Sequence, residues 1–343
     1  MKRDISLDLL RIICCIFVIG IHVTPDYAYT VTSNQTESIQ IQTLFAQSIV
    51  RIGLPIFFML SGYYLLNRQN STPLLFYKKR IPAIIIPFVI YSLAHYYIIS
   101  WNNGTSSNLL EYFSLISKST ISLSVHFWFV YAFIGLYLTA PAIQYIVNKI
   151  PQADSLKVII VLAFIFYYSL YSYSLSQSSQ YYHHLIPLQS IDTWVLYFVV
   201  GGLLKRVDIK THYIVYSIPF IFLLHVMFVY FSVNKYNFNI YPFDSGINML
   251  LMCSLIVIAF TKININNKKI ILIIEKIAPL TYGIYLIHVC VFRVLEKYFN
   301  IPFIVDNILL KTTSLSLVIF FISLGLSLII DRLFVNPILR LNR

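Results

Sequence analysis

Arg11 and His22 stand eleven residues apart in the apolar stretch LDLLRIICCIFVIGIHV. Eleven residues make three α-helical turns, so both side chains project from one face, about 16 Å apart along the axis. A guanidinium holds anions through a planar fork of donors, and an imidazole exchanges protons near neutrality. An apolar helix does not turn such a face to lipid. Ionisable groups in spanning helices line cavities and pathways, so the pair marks a route through a membrane. Two readings of His22 stand side by side. One is a core histidine bonded to a neighbouring helix. The other is a general base that strips the proton from a hydroxyl attacking an acyl group. Asp8, three residues before Arg11, is placed to pair with it near the helix start. Arg11 then either anchors that helix end or faces an anionic donor such as a phosphate.

Other residues of this kind recur along the chain. In VRIGLPIFFMLSGYYLL, Arg51 precedes the Leu54–Pro55 step, where a missing backbone donor opens the helix, and Ser61-Gly62 permit close helix approach. Lys78, Lys79 and Arg80 form a basic cluster in the loop before the third apolar stretch. It is either a topology signal or a seat for a phosphate-rich ligand. His126 and Trp128 open VHFWFVYAFIGLYLTAP; an interfacial aromatic belt explains the tryptophan but not the histidine. In LTYGIYLIHVCVF, Tyr282 and Tyr285 share a helix face, and His288 lies near Tyr285. His183-His184 form a pair with no clear carboxylate partner, and no metal site is expected.

These residues must be held by membrane helices. Of 343 residues, 58% are hydrophobic and only 11% charged, and the mean hydropathy is +0.76. A soluble domain carries about 25% charged residues, so the fold class is all-α, a polytopic membrane protein. Ten spans are predicted near 7–24, 44–66, 81–100, 126–147, 157–175, 191–206, 213–233, 246–262, 277–297 and 308–331, the sixth and eighth short. One transmembrane domain over residues 1–343 is expected, with no separate soluble domain and no internal repeat. Four cysteines, Cys14, Cys15, Cys253 and Cys290, all lie in apolar stretches and form no disulfide framework or CxxC pair.

The net charge of +12 reads as topology, not nucleic-acid binding. With the N-terminus inside, most loop Lys and Arg fall on the inner side, and the outer loops hold only Lys118, Lys235, Lys297 and Lys311. Both termini are therefore expected in the cytoplasm, with the first span an uncleaved anchor. Outer loops such as SWNNGTSSNLLEYFS are polar, weakly charged and rich in Asn, Ser and Tyr, which suits sugar hydroxyls and headgroup belts alike.

In order, the Arg11–His22 spacing, RIGLPIFFMLSGYYL, the basic cluster, HFWFVYAFIGLYLTAP and LTYGIYLIHV resemble the membrane acyltransferase-3 family over nearly the whole chain. In length and layout the chain is similar to members that acetylate enterobacterial common antigen. The resemblance implies about ten helices in a bacterial inner membrane. It implies an O-acyltransferase that moves acetyl from cytoplasmic acetyl-CoA to an extracytoplasmic cell-surface glycan or lipid-linked sugar. Arg11 and His22 would be catalytic, and Arg80, with Lys79 and Lys78, would bind the donor. Arg51, Ser61, His126, Trp128, Tyr285 and His288 are candidate substrate contacts. One departure is present: the family often has a second arginine three residues after the position of Arg80, and here Ala83 stands there, next to Pro82. The competing expectation is a transporter or exporter of a glycan or small acyl compound, against which stand the lack of an inverted repeat and few acidic residues in the spans.

Overall fold

The computed structural model describes residues 4–67, 72–176, 191–234 and 247–341, and His183 and His184 lie outside them. Among the described residues there are helices and no strands. In chain order the helices are α1 (Ile5–Val23), α2 (Tyr27–Thr32), α3 (Glu37–Val50), α4 (Gly53–Leu65), α5 (Pro73–Asn103), α6 (Leu109–Lys118), α7 (Trp128–Lys149) and α8 (Ser155–Ser176). Then follow α9 (Ile191–Leu204), α10 (Thr211–Asn234), α11 (Ile247–Thr261), α12 (Lys268–Ile277), α13 (Thr281–Phe299), α14 (Ile308–Ile330) and α15 (Asn336–Leu341).

The predicted spans overlap helices. Among the described residues, seven helical segments are long and apolar enough to cross a membrane. The sixth and eighth spans correspond to the shorter apolar helices at Thr193–Leu204 and Ile247–Thr261. The chain is a multi-pass membrane protein. Large side chains such as Phe164, Phe220, Phe321 and Ile329 are exposed on its outer helices, as a lipid-facing surface requires.

α1 runs through the middle of the bundle, packed by α3, α4, α11, α13 and α14. Asp4 starts it by accepting the amides of Ser6 and Leu7 at 3.1 and 3.2 Å. Two predicted boundaries change. The second span is two helices, broken at Arg51–Ile52. Pro55 explains the break: its ring clashes with the carbonyl four residues back, that of Arg51. The basic cluster is not in a loop. Thr72 caps α5 and Pro73 occupies its first turn, which puts Lys78, Lys79 and Arg80 inside the helix. At 31 residues, α5 is about 46 Å long. That exceeds an apolar core of roughly 30 Å, so the cluster stays near one interface. Gly104, at φ 68°, ends the helix in the left-handed conformation.

Close approach fixes the α4–α9 pair. A Cβ on Gly62 would stand 1.7 Å from the Phe198 carbonyl oxygen, and one on Gly201 would stand 2.0 Å from the Met59 oxygen. Both contacts are with backbone, which cannot swing away. Gly201→Val is expected to lower the thermal unfolding midpoint in detergent markedly, by more than the ~1–3 kcal/mol typical of overpacking. Gly135→Ala, made into open space, is expected to leave it within a degree or two. Equal midpoints for both variants would contradict the packing described.

Candidate functional site

The last turn of α1 delivers His22 to a cluster of four imidazoles. The His22 ring centroid is 5.1 Å from that of His288 and 6.2 Å from that of His126. His126 and His288 are 5.1 Å apart, and His95 lies 5.6 Å from His126. Four separate segments supply them: α1, α5, the 3-10 turn Val125–Phe127 and α13. His95, His126 and His288 are buried, whereas His22 is partly accessible. Among the described residues, no three His, Cys, Asp or Glu side chains are arranged to hold a metal ion.

Backbone carbonyls orient the rings. His126 places Nε2 3.2 Å from the Leu286 oxygen and Nδ1 2.8 Å from Ser124 Oγ. His288 Nδ1 meets the Tyr285 oxygen, and the Tyr285 hydroxyl donates to the His126 oxygen, each at 2.5 Å. Tyr285 and His288 therefore sit together as their spacing predicts, and His126 belongs to the cluster and not to the interface. His95 is the residue that sequence reading misses. Its signal is a histidine inside the apolar run IYSLAHYYII, with Ile99, Asn102 and Asn103 following at helical spacing.

Arg51 caps α3 beside this cluster. Its Nε donates to Gln47 Oε1 at 2.8 Å and its guanidinium lies 3.8 Å from Asp26. Gln47 in turn donates to the carbonyls of Thr24 and Pro25, just past the end of α1. The break at Arg51 thus puts a cation within electrostatic reach of His22, and α13 supplies a second, Arg293. Trp128 and Ser61 are elsewhere. Trp128 packs on Trp194 with centroids 5.2 Å apart, and Ser61 bonds within its own helix to the Phe57 carbonyl.

Arg11 lies at the other end of α1. It donates to Asp8 at 3.2 Å, as the i,i+3 spacing predicts, and its guanidinium sits 5.7 Å over the Tyr64 ring. Tyr137 is within its electrostatic reach and has its ring centroid 6.3 Å from that of Phe76 near the start of α5. Arg11 and the basic cluster of α5 therefore share one end of the bundle. Lys78 and Lys79 are exposed there, and Arg80 is half-buried.

One expectation is corrected. An open cavity shared by Arg11 and His22 would run along the face that carries Cys15 and Val18, and these are 1% and 3% exposed. The Cys15 thiol also lies 3.7 Å from the Thr281 oxygen of α13. The face between the two residues is filled by packed side chains.

The sequence model of a family described as an acyltransferase domain matches residues 4–332. The chain belongs to the acyltransferase-3 family. A relative from Staphylococcus aureus strain Mu50 is 23% identical over 319 residues, covering 88% of this chain and 85% of its own. One from Staphylococcus epidermidis is 23% identical over 351 residues, covering 97% and 93%. Both carry the name "probable poly-beta-1,6-N-acetyl-D-glucosamine export protein", and neither name refers to enterobacterial common antigen. No solved structure matches the chain.

The Tyr285 hydroxyl is the tie between α13 and the His126 turn. Tyr285→Phe is expected to cost roughly 1–3 kcal/mol, because the His126 carbonyl loses a buried donor. Thermal unfolding of the purified variant in detergent would show it as a lowered midpoint. An unshifted midpoint would mean that the bond carries no stability.

Proposed function

We propose that this protein is a membrane O-acyltransferase that moves acetyl from cytoplasmic acetyl-CoA to a hydroxyl of an extracytoplasmic cell-surface glycan. The observation that carries this reading is the cluster of His22, His126, His288 and His95, in which only His22 is partly accessible, in a chain of the acyltransferase family. The distribution of Lys and Arg orients the Arg11 end toward the cytoplasm of a bacterial cell with both termini inside. Arg80, Lys79 and Lys78 bind the phosphates of the donor there, and Arg11 engages the donor where it enters the bundle.

At the other end, His22 acts as general base. It takes the proton of the acceptor hydroxyl as that oxygen attacks the thioester carbonyl. The C–S bond then breaks, acetyl passes to the sugar oxygen, and the CoA thiolate leaves and is protonated. The buried imidazole His288, held at Nδ1 by the Tyr285 carbonyl, positions His22. Arg51 and Arg293 stabilise the oxyanion of the tetrahedral intermediate. Because Cys15 and Val18 fill the face between donor and acceptor ends, the thioester arm reaches His22 only when the helices packed on α1 move apart there. Alternatively, the His22 imidazole carries the acetyl group as a covalent relay.

The relatives' names favour a second reading, export of a poly-N-acetylglucosamine chain. The two are separated by incubating the purified protein with radiolabelled acetyl-CoA and a β-1,6-linked N-acetylglucosamine pentamer. Label in the sugar, with stoichiometric CoA release, supports transfer; transport of the pentamer into proteoliposomes with no CoA release supports export. His22→Ala is expected to lower transfer at least 10²-fold at an undiminished protein level. Near-normal transfer by that variant would remove His22 from the chemistry. Arg11→Lys, which keeps charge but loses the fork, is expected to raise the KM for acetyl-CoA about tenfold or more; an unaltered KM would free Arg11 of the donor.

A further inference from the structure

Two clefts adjoin at the end of the bundle where α5 and α13 terminate. One has a volume of about 180 Å³ and is lined in part by His95, Tyr96, Ser100, Thr105 and Glu111. The other, of about 450 Å³, is lined by Ile99, Asn102, Asn103, Arg293, Glu296 and Lys297. Ile99 and Asn103 line both, so the clefts are neighbours that share part of a wall. The larger one alone has the size of a small-molecule site, roughly 300–1,000 Å³.

Each cleft is lined by a residue that carries a buried polar atom without a protein partner. His95 is 3% exposed and its Nδ1 is unbonded; Asn102 is 4% exposed and its Oδ1 is unbonded. Buried polar atoms without partners are costly and rare in folded proteins. Both atoms belong to the face of α5 that continues inward to the His126 ring, 5.6 Å from that of His95. The smaller cleft is therefore next to the histidine cluster, and the larger one lies between the ends of α5 and α13.

The charges of the rim are already balanced among themselves. Arg293 donates to Glu296 at 2.7 Å, Tyr96 donates to Glu111 at 2.6 Å, and Lys297 donates to the Asn102 carbonyl. Two cations face two carboxylates, so the groove offers no net field to a phosphate or a polyanion. What it offers is neutral: an amide oxygen and an imidazole nitrogen in need of partners, beside Ser100, Thr105 and Asn103. A ligand that satisfies it carries hydroxyl and amide donors at intervals along an uncharged chain.

We propose that the two clefts form a single acceptor groove for an uncharged, N-acylated sugar chain, with Asn102 holding a distal sugar and His95 positioning the sugar that reaches His22. The proposal rests on the transferase reading for its purpose, and not for its geometry. The polar segment SWNNGTSSNLLEYFS, whose composition suits sugar hydroxyls, supplies Ser100, Asn102, Asn103, Thr105 and Glu111 to it.

The test uses the full chain in nanodiscs with the β-1,6-linked N-acetylglucosamine pentamer as probe. Isothermal titration calorimetry gives its Kd, and CoA release gives its KM and kcat. Asn102→Leu is expected to raise both Kd and KM tenfold or more with kcat within threefold, and Asn102→Gln to recover part of the loss. His95→Phe is expected to weaken binding and to lower kcat as well. The fully de-N-acetylated pentamer, which is cationic, is expected to bind at least tenfold more weakly. Gel filtration checks that each variant remains folded. Unchanged pentamer affinity in both Asn102→Leu and His95→Phe overturns the groove, as does equal affinity for the charged pentamer or no binding by the wild type. If the wild type binds the pentamer with the expected variant effects yet releases no CoA, the groove stands and the transferase reading falls.

Discussion

The candidate site depends on how imidazoles are oriented where water is scarce. A histidine placed among apolar helices needs a hydrogen-bond partner, and in this chain the partners of two are carbonyls of α13. His126 meets the Leu286 oxygen and His288 meets the Tyr285 oxygen, while the Tyr285 hydroxyl returns a bond to the His126 oxygen. These three bonds span little more than one turn of α13, and the two that involve His126 tie it to the turn that begins α7. The rings of His22 and His95 then pack on rings that are already fixed. The orientation of the His126 and His288 rings is set by these bonds.

The small residues serve the same end. Gly53 brings α4 so close to α1 that a Cβ there would stand 2.7 Å from the Cys14 oxygen, and a Cβ on Gly283 would stand 2.3 Å from the Tyr91 hydroxyl. Without an apolar solvent difference to drive helices together inside lipid, such close backbone approach supplies the packing. Tyr91, held against α13 in this way, also donates to Asp331 at 2.7 Å and so connects α5 to the end of α14. The helices that carry His22, His95 and His288 are thereby held in register by contacts remote from the histidines themselves.

Much of this plan was legible in the sequence. The apolar stretches fell on helices, the Asp8–Arg11 pair formed at its spacing, and Tyr285 met His288. Other features needed the third dimension. His126 stood out as a histidine that an interfacial belt does not explain, but only the turn before α7 shows that it is folded inward among other imidazoles. His95 carried no motif and is defined only by its neighbours on other helices. The Thr72-Pro73 cap draws the basic cluster into α5, a helix start that the charge pattern of the cluster does not reveal. The filling of the face between Arg11 and His22 could not be read at all, because periodicity says which residues share a face and not what stands opposite.

That filling has a consequence for the cell. A water-lined passage from Arg11 to His22 would connect the two aqueous compartments, and a chain of histidines at its end would conduct protons down the membrane potential. Cys15, seated on the Thr281 carbonyl, and the buried Val18 leave no such water-lined passage along this face of α1.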